Sequence, residues 1–432
     1  MPPLIILHNN VKNIIDHTIN VNSTKQLTLF SGGNFLAQIV MMIYTILVAR
    51  SLEPTQMGIY SGLYAILGIT FTFVNFGLDT WMLKDAHTFD SIKILSGKIF
   101  STKLLFGSVF GLLCLFLLPI LRPNIFSYIL VLIAILDILC DSLFNTLIYT
   151  WSIQRNVRNI NIMLLISRFG KLALLFLLIF LNKQSPTSIA GTRLIISLLV
   201  LIASTMIIKP IIRRDLHNDI IKIIKRSSVF GLSEIFAMIY ANIDIAILAF
   251  FSISATGLYS PASGIIRALF VIPNSIYVFL IPKYSKQLSE DPIAVIRTHA
   301  KKIILIFLGI GVILSLSLIF GSQFLVTTLL GQKYYYTGQL LTILSPILLF
   351  KSISFGLALI LVITNNQSKR LLTQFIIALL NIIFNLLLIP YWGVMAVAWV
   401  YLASEILLMI GYGVTTLKLL KESFNLDQHE LN

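Results

Sequence analysis

"MGIYSGLYAILGITFTFVNFG", residues 57–77, has a counterpart in "TGLYSPASGIIRALFVIPNSI", which begins at Thr256. Shifted by 199 residues, the two agree at Gly58/Gly257, Tyr60/Tyr259, Ser61/Ser260, Ile66/Ile265, Phe71/Phe270 and Asn75/Asn274. Six apolar runs fit within that spacing, so the repeat unit is six helices. An even number of crossings returns both copies to the membrane in the same orientation, giving a parallel repeat about an axis along the membrane normal. The pattern predicts an all-α polytopic membrane protein, about twelve transmembrane helices in two parallel, pseudo-symmetric six-helix bundles.

Composition agrees. Of 432 residues, 57% are hydrophobic and 11% charged, and mean hydropathy is +0.93. A soluble domain of that make-up lacks the polar residues to cover its surface. Apolar runs bounded by charges, Pro or Gly place spans near 27–49, 58–82, 100–121, 126–150, 160–182, 187–208, 228–251, 261–282, 303–321, 338–364, 371–390 and 393–417. The domains read as an N-terminal arm (1–26), a first bundle (27–208), a basic linker (209–227), a second bundle (228–417) and a short tail (418–432). The spacing of Leu7, Val11, Ile14, Ile15 and Ile19 suits an arm lying on the membrane surface, and a disordered leader fits as well. No signal-peptide pattern precedes the first span.

The formal charge of +15 reports topology, not nucleic acid, since no nucleic-acid motif accompanies it. With the N-terminus inside, cytoplasmic segments collect 23 of the 32 Lys and Arg, while the outer loops hold Arg50, Arg122, Lys183 and Lys333. Both termini are therefore expected in the cytoplasm. Cys114 and Cys140 fall within spans and support neither a disulfide nor a zinc site. No cofactor or metal is implied. The outer connections are short, except for roughly sixteen residues between the ninth and tenth helices, which argues against an enzyme with a large external active-site loop.

Polar residues inside spans line a bundle interior or wet cavity by default. Ser31, Asn34, Gln38 and Thr45 share a face of the first helix; Asp137, Asp141, Asn145 and Tyr149 are each four apart in the fourth. Arg168 and Lys171 lie together in the fifth, Arg193 in the sixth, Glu234 and Asp244 in the seventh, Arg267 in the eighth and Lys351 in the tenth. Asn381 and Asn385 occupy the eleventh helix and Glu405 the twelfth. Arg193 and Arg267, near their helix ends, fit snorkelling as well as a cavity role. Arg168 and Lys171 have no carboxylate in their own helix, so their counter-anion is either the Asp137/Asp141 stripe or a bound phosphate-bearing substrate. The asparagines fit helix–helix contacts as well as cavity walls.

The stretches "LVARSLEPTQMGIYSGLYAILGITFTFVNFGLDTWMLKDA" (Leu47 to Ala86), "NIDIAILAFFSISATGLYSPASGIIRALFVIPNSIYVFLIPKYSKQL" (Asn242 to Leu288), "GQKYYYTGQLL" (Gly331 to Leu341) and "NIIFNLLLIPYWGVMAVAWVYLASE" (Asn381 to Glu405) resemble signatures of polysaccharide-type flippases. These form a branch of the multidrug/oligosaccharidyl-lipid/polysaccharide exporter superfamily. The resemblance implies an O-antigen-type flippase of a bacterial inner membrane, not an enzyme, moving undecaprenyl-pyrophosphate-linked oligosaccharide between leaflets by alternating access. Membrane lipids and polysaccharide polymerase machinery are the partners it implies, and nucleic acid is not one. On this reading Arg168, Lys171, Lys351, Arg193 and Arg267 would hold the anionic headgroup. Asp137, Asp141, Asp244, Glu234 and Glu405 would couple transport to ions, and Asn34, Gln38, Asn145, Asn381 and Asn385 would line the cavity. Ile245 follows Asp244 where relatives often carry a basic residue, so no charge pair is carried over there. A drug or metabolite antiporter of the same superfamily is the alternative reading; a membrane glycan polymerase or glycosyltransferase is a third.

Overall fold

A computed structural model describes residues 32–85, 91–211, 217–277, 280, 292–364 and 366–430. The arm at 1–26 and Ser31 lie outside them. The membrane-crossing helices are α1 (Gly32–Ser51), α2 (Pro54–Leu83), α3 (Ile92–Leu121), α4 (Tyr128–Ile153), α5 (Val157–Phe180) and α6 (Pro186–Ile208) in the first bundle. The second holds α7 (Phe230–Phe251), α8 (Ile253–Tyr277), α9 (His299–Leu329), α10 (Gln332–Leu344 with Ile347–Ile363), α11 (Gln367–Trp392) and α12 (Val394–Leu419). One end of the molecule carries the connections at 52–53, 252 and 330–331 and is called the short-loop end; the other carries the basic segments and is called the basic end.

Local chemistry sets the boundaries. Ser127, Ser185 and Ser252 cap α4, α6 and α8, each hydroxyl accepting from the backbone N–H three residues on. Lipid-facing stripes explain the excess of exposed apolar residues: Leu105, Val109, Leu112, Phe116 and Ile120 recur every three or four positions on α3, each more than half exposed. α10 bends by 41° at Ser345–Pro346, where proline removes a backbone donor.

The sixteen-residue connection expected between the ninth and tenth helices is helical instead. Its polar side chains are satisfied by the neighbouring span: Ser322 Oγ lies 2.5 Å from Thr342 Oγ1, and Gln323 donates to the Tyr335 carbonyl at 3.3 Å. Those bonds remove the penalty that polar residues would otherwise carry at membrane depth.

The bundles meet along α2. Gly58 and Gly257, paired by the sequence repeat, face each other across the pseudo-axis. A Cβ at Gly58 would land on the Ile253 carbonyl, and one at Gly257 on that of Pro54. Closer to the basic end α2 breaks at Phe76 (φ 37°) and Gly77 (φ 64°), and this left-handed corner packs backbone to backbone against Phe230 and Gly231 of α7.

At the short-loop end, three of the four outer-loop cations tie one bundle to the other. Arg50 donates to the Thr328 carbonyl at 3.3 Å, Arg122 to that of Phe250, and Lys333 Nζ lies 3.4 Å from Glu53 Oε1. Tyr334, fully buried, donates to Leu52 O at 3.1 Å. Arg50, Arg122 and Tyr334 thus use the carbonyls left unpaired at helix C-termini. Beneath them one apolar core runs through both bundles, including Leu52, Met57, Tyr259, Leu330 and Leu340. This end is sealed.

Candidate functional site

The interior of the first bundle holds a charge network built from four helices. The four-residue spacing of Asp137 and Asp141 puts both carboxylates on one face of α4. Arg193 of α6 places Nε 2.9 Å from Asp137 Oδ2 and Nη2 3.8 Å from Asp141 Oδ2. Lys171 of α5 sits 3.0 Å from both Asp141 oxygens and is fully buried. Ser197 donates to Asp137 at 2.7 Å and to Asp141 at 3.0 Å. From α2, Tyr64 donates to Asp137 at 2.9 Å and lies under the Arg193 guanidinium, 4.3 Å from its ring centre. Arg193 Nη1 donates to Tyr60 Oη at 3.0 Å.

Pairing of this kind is the physical condition for keeping charges at membrane depth. Two cations thus answer two carboxylates. Arg168, the second cation of α5, has no hydrogen-bond or ion-pair partner among the described residues, although it lies within the field of Asp141.

The second bundle has a simpler centre. Lys351 Nζ is 2.9 Å from Glu405 Oε1, with the Tyr240 and Phe270 ring centres 5.1 and 5.6 Å away. Arg267 joins α8 to α7, donating to the Ala241 carbonyl at 2.8 Å, Asn242 Oδ1 at 3.1 Å and Ser263 Oγ at 2.7 Å. Asp244 accepts from Tyr259 at 2.5 Å, and Glu234 accepts from Thr80 of α2 at 2.7 Å. Neither carboxylate has a cation within 4.0 Å among the described residues.

Two spaces adjoin these groups. A cavity of about 440 Å³ between the bundles is lined by Asn75, Asp141, Asn145 and Glu234 in the basic half of the molecule. A largely apolar slot of about 540 Å³ separates α1 from α8 and is lined by Phe35, Ile39, Met42, Ile46, Ile265 and Ile272, with Gln38, Thr45 and Arg267 as its polar members.

Residues 23–288 match the family model described as "Polysaccharide biosynthesis protein". The chain belongs to that family. Solved structures similar in fold include the lipid II flippase MurJ in an inward closed conformation (TM-score 0.71, 15% identity, covering 92% of this chain and 90% of that one). An inward-facing multidrug resistance MATE family transporter of the MOP superfamily gives TM-score 0.73 at 11% identity, covering 90% and 96%. A MOP superfamily transporter from Pyrococcus furiosus gives 0.53 at 13%, covering 92% and 98%. At these identities the likeness is one of fold. Among curated proteins no sequence match reaches significance.

Within this family frame, Asp137, Asp141, Lys171 and Arg193 come together, while Lys351 and Glu405 form a second, separate pair. Arg193 points into the bundle, not to the membrane interface. Gln38 and Arg267 line the slot, and Asn145 and Glu234 line the interlobe cavity. Asn34 lies half-buried on α1, outside the slot's lining. Among the described residues Asn381 and Asn385 line neither space. Asn381 donates to Ser404 at 3.0 Å, Asn385 donates to Asn381 Oδ1 at 2.9 Å, and both are buried in the α11–α12 seam. Asn381 is a helix–helix joint through Ser404 of α12, whereas Asn385 bonds only to Asn381 one turn earlier in its own helix.

Sequence reading missed Tyr60, Tyr64 and Ser197, which look like ordinary core residues. It also missed the Asp79–Lys103 pair, 2.6 Å apart and buried near the basic end. The signal was present: Asp79 and Lys103 each sit at the basic end of an apolar run.

Proposed function

We propose that the protein is a flippase that moves an undecaprenyl-pyrophosphate-linked oligosaccharide, an O-antigen or capsule repeat unit, from the inner to the outer leaflet of a bacterial inner membrane. The observation that carries this reading is an apolar lateral slot together with an interlobe cavity whose wall holds Asp141, Glu234, Asn75 and Asn145. A polyprenyl tail stays in the slot and the lipid around it, and the headgroup occupies the wet space between the bundles. The basic end faces the cytoplasm, with both termini there. The seal at the short-loop end then makes this an inward-facing arrangement, and rocking of the bundles about the α2 contacts supplies alternating access.

Arg168 lines neither space, but it is the first-bundle cation left for the anionic headgroup, because Lys171 and Arg193 are engaged with Asp141 and Asp137. Its planar fork of donors suits phosphate oxygens. Glu234 and Asp141, the carboxylates of the cavity wall, are the candidate proton carriers for coupling. The same two carboxylates also support the second reading, an antiporter for cationic small molecules.

Export in cells tests the assignment of Arg168. Arg168→Gln is expected to lower export of the lipid-linked glycan roughly 10- to 100-fold, the worth of a charged hydrogen bond, with the protein still in the membrane. Arg168→Lys restores only part of it. Full export by Arg168→Gln would remove Arg168 from the headgroup site and favour the antiporter reading.

A further inference from the structure

A third cavity, about 210 Å³, lies wholly inside the second bundle among α8, α10, α11 and α12, toward the basic end. Its chemistry differs from that of the interlobe cavity. Among the described residues no carboxylate lines it, whereas Asp141 and Glu234 line the other. Its walls carry Arg370 from the first turn of α11, Lys351 and Ser354 from α10, Tyr412 from α12, and the amides of Asn274 and Gln374.

Two of its donors are buried and unmatched among the described residues. Arg370 Nε and Ser354 Oγ have no hydrogen-bond partner there, and Ser354 is only 3% exposed; Tyr412, 2% exposed, has Gln374 as its neighbour at the back of the pocket. Buried donors are normally satisfied, since leaving one unpaired costs about 1–3 kcal/mol. Arg370 Nη1 is anchored by Tyr277 Oη at 3.2 Å, which holds the guanidinium in place. Lys351 is neutralised by Glu405, so among the described residues Arg370 gives the pocket a net positive charge. The start of α11 beside it adds the positive end of a helix dipole.

We propose that this cavity is a binding site for a phosphate-type oxyanion presented from the basic end. Donors arrive from separate helices and therefore from several directions, which matches the tetrahedral oxygens of a phosphoryl group better than a planar carboxylate. Arg370 supplies the charge, and Ser354 and Tyr412 supply neutral donors at the back of the pocket. Two sources share this chemistry: the diphosphate of a lipid headgroup, and free phosphate or pyrophosphate. The site rests on its own lining and not on the transport reading, so leaflet transfer by the wild-type protein reports on that reading separately.

Titration calorimetry on the detergent-solubilised full chain, with inorganic phosphate and then pyrophosphate as the probe, is the test. Saturable binding is expected for the wild type. Arg370→Gln should weaken it roughly 10- to 100-fold, and Tyr412→Phe or Ser354→Ala about 3- to 10-fold. If Arg370→Gln melts early, the two nearly isosteric variants decide. Absence of saturable binding, or binding unchanged in the folded variants, overturns the site. Repeating the titration in nanodiscs containing undecaprenyl pyrophosphate separates the sources. Displacement of phosphate assigns the site to a lipid headgroup, and undiminished phosphate binding assigns it to the free anion; both uphold it.

Discussion

Replacing Arg193 with Met is expected to lower stability by about 3–5 kcal/mol, the cost of stranding one member of a buried ion pair. Asp137 is fully buried, and after the substitution it keeps only the hydroxyls of Tyr64 and Ser197. Two hydroxyls do not replace a cation at that depth. Adding Asp137→Asn to Arg193→Met removes the stranded charge and should recover most of the loss. Thermal melting of the four members of this double-mutant cycle, in detergent, gives the coupling directly. Strictly additive losses would mean that the two side chains do not act as a pair. The exposed Lys333–Glu53 contact is the internal contrast: with side chains 31% and 64% exposed, it should contribute under about 1 kcal/mol.

The second large effect is expected at the glycine crossing. Gly257→Val places a branched side chain where the Pro54 carbonyl now lies, so α2 and α8 must part. Overpacking of this sort typically costs about 1–3 kcal/mol, and here the strain falls on the sealed state. The variant should favour opening at the short-loop end and lose export. Asn145, exposed to the interlobe cavity, is the reporter. In a background without Cys114 and Cys140, Asn145→Cys should react with an impermeant thiol reagent added from outside only when Gly257→Val is also present. Equal labelling with and without Gly257→Val would show that this crossing does not hold the seal.

The sequence foretold the spans, the repeat and the place of the α5 cations inside their helix, because hydropathy and helical spacing are local properties. Partner choice was not legible. The four-residue stripe put Asp137 and Asp141 on one face, but whether α5 or α6 supplies their cations depends on how three helices cross. Arg193 lies so near a helix end that counting residues could not tell membrane interface from bundle interior. Arg370 was assigned to a cytoplasmic connection because the eleventh span was started at 371, whereas the helix begins at Gln367; those few residues hid a cation of the second-bundle cavity. Gly58 and Gly257 were visible as a repeat match, yet that they meet one another follows only from folding the two bundles together. The bend of α10 at Pro346 was not read from the sequence, because apolar length alone made that segment look continuous.

Leaflet transfer in proteoliposomes is the decisive measurement of flippase activity. The purified protein is reconstituted with a fluorescent undecaprenyl-pyrophosphate-linked oligosaccharide, and the glycan reaching the opposite leaflet is read by an enzyme that cannot cross the bilayer. Protein-dependent transfer with no change in glycan length is expected, and its loss in Arg168→Gln. Transfer no faster than in protein-free vesicles, under coupling gradients of either sign, or a lengthened glycan, would contradict it.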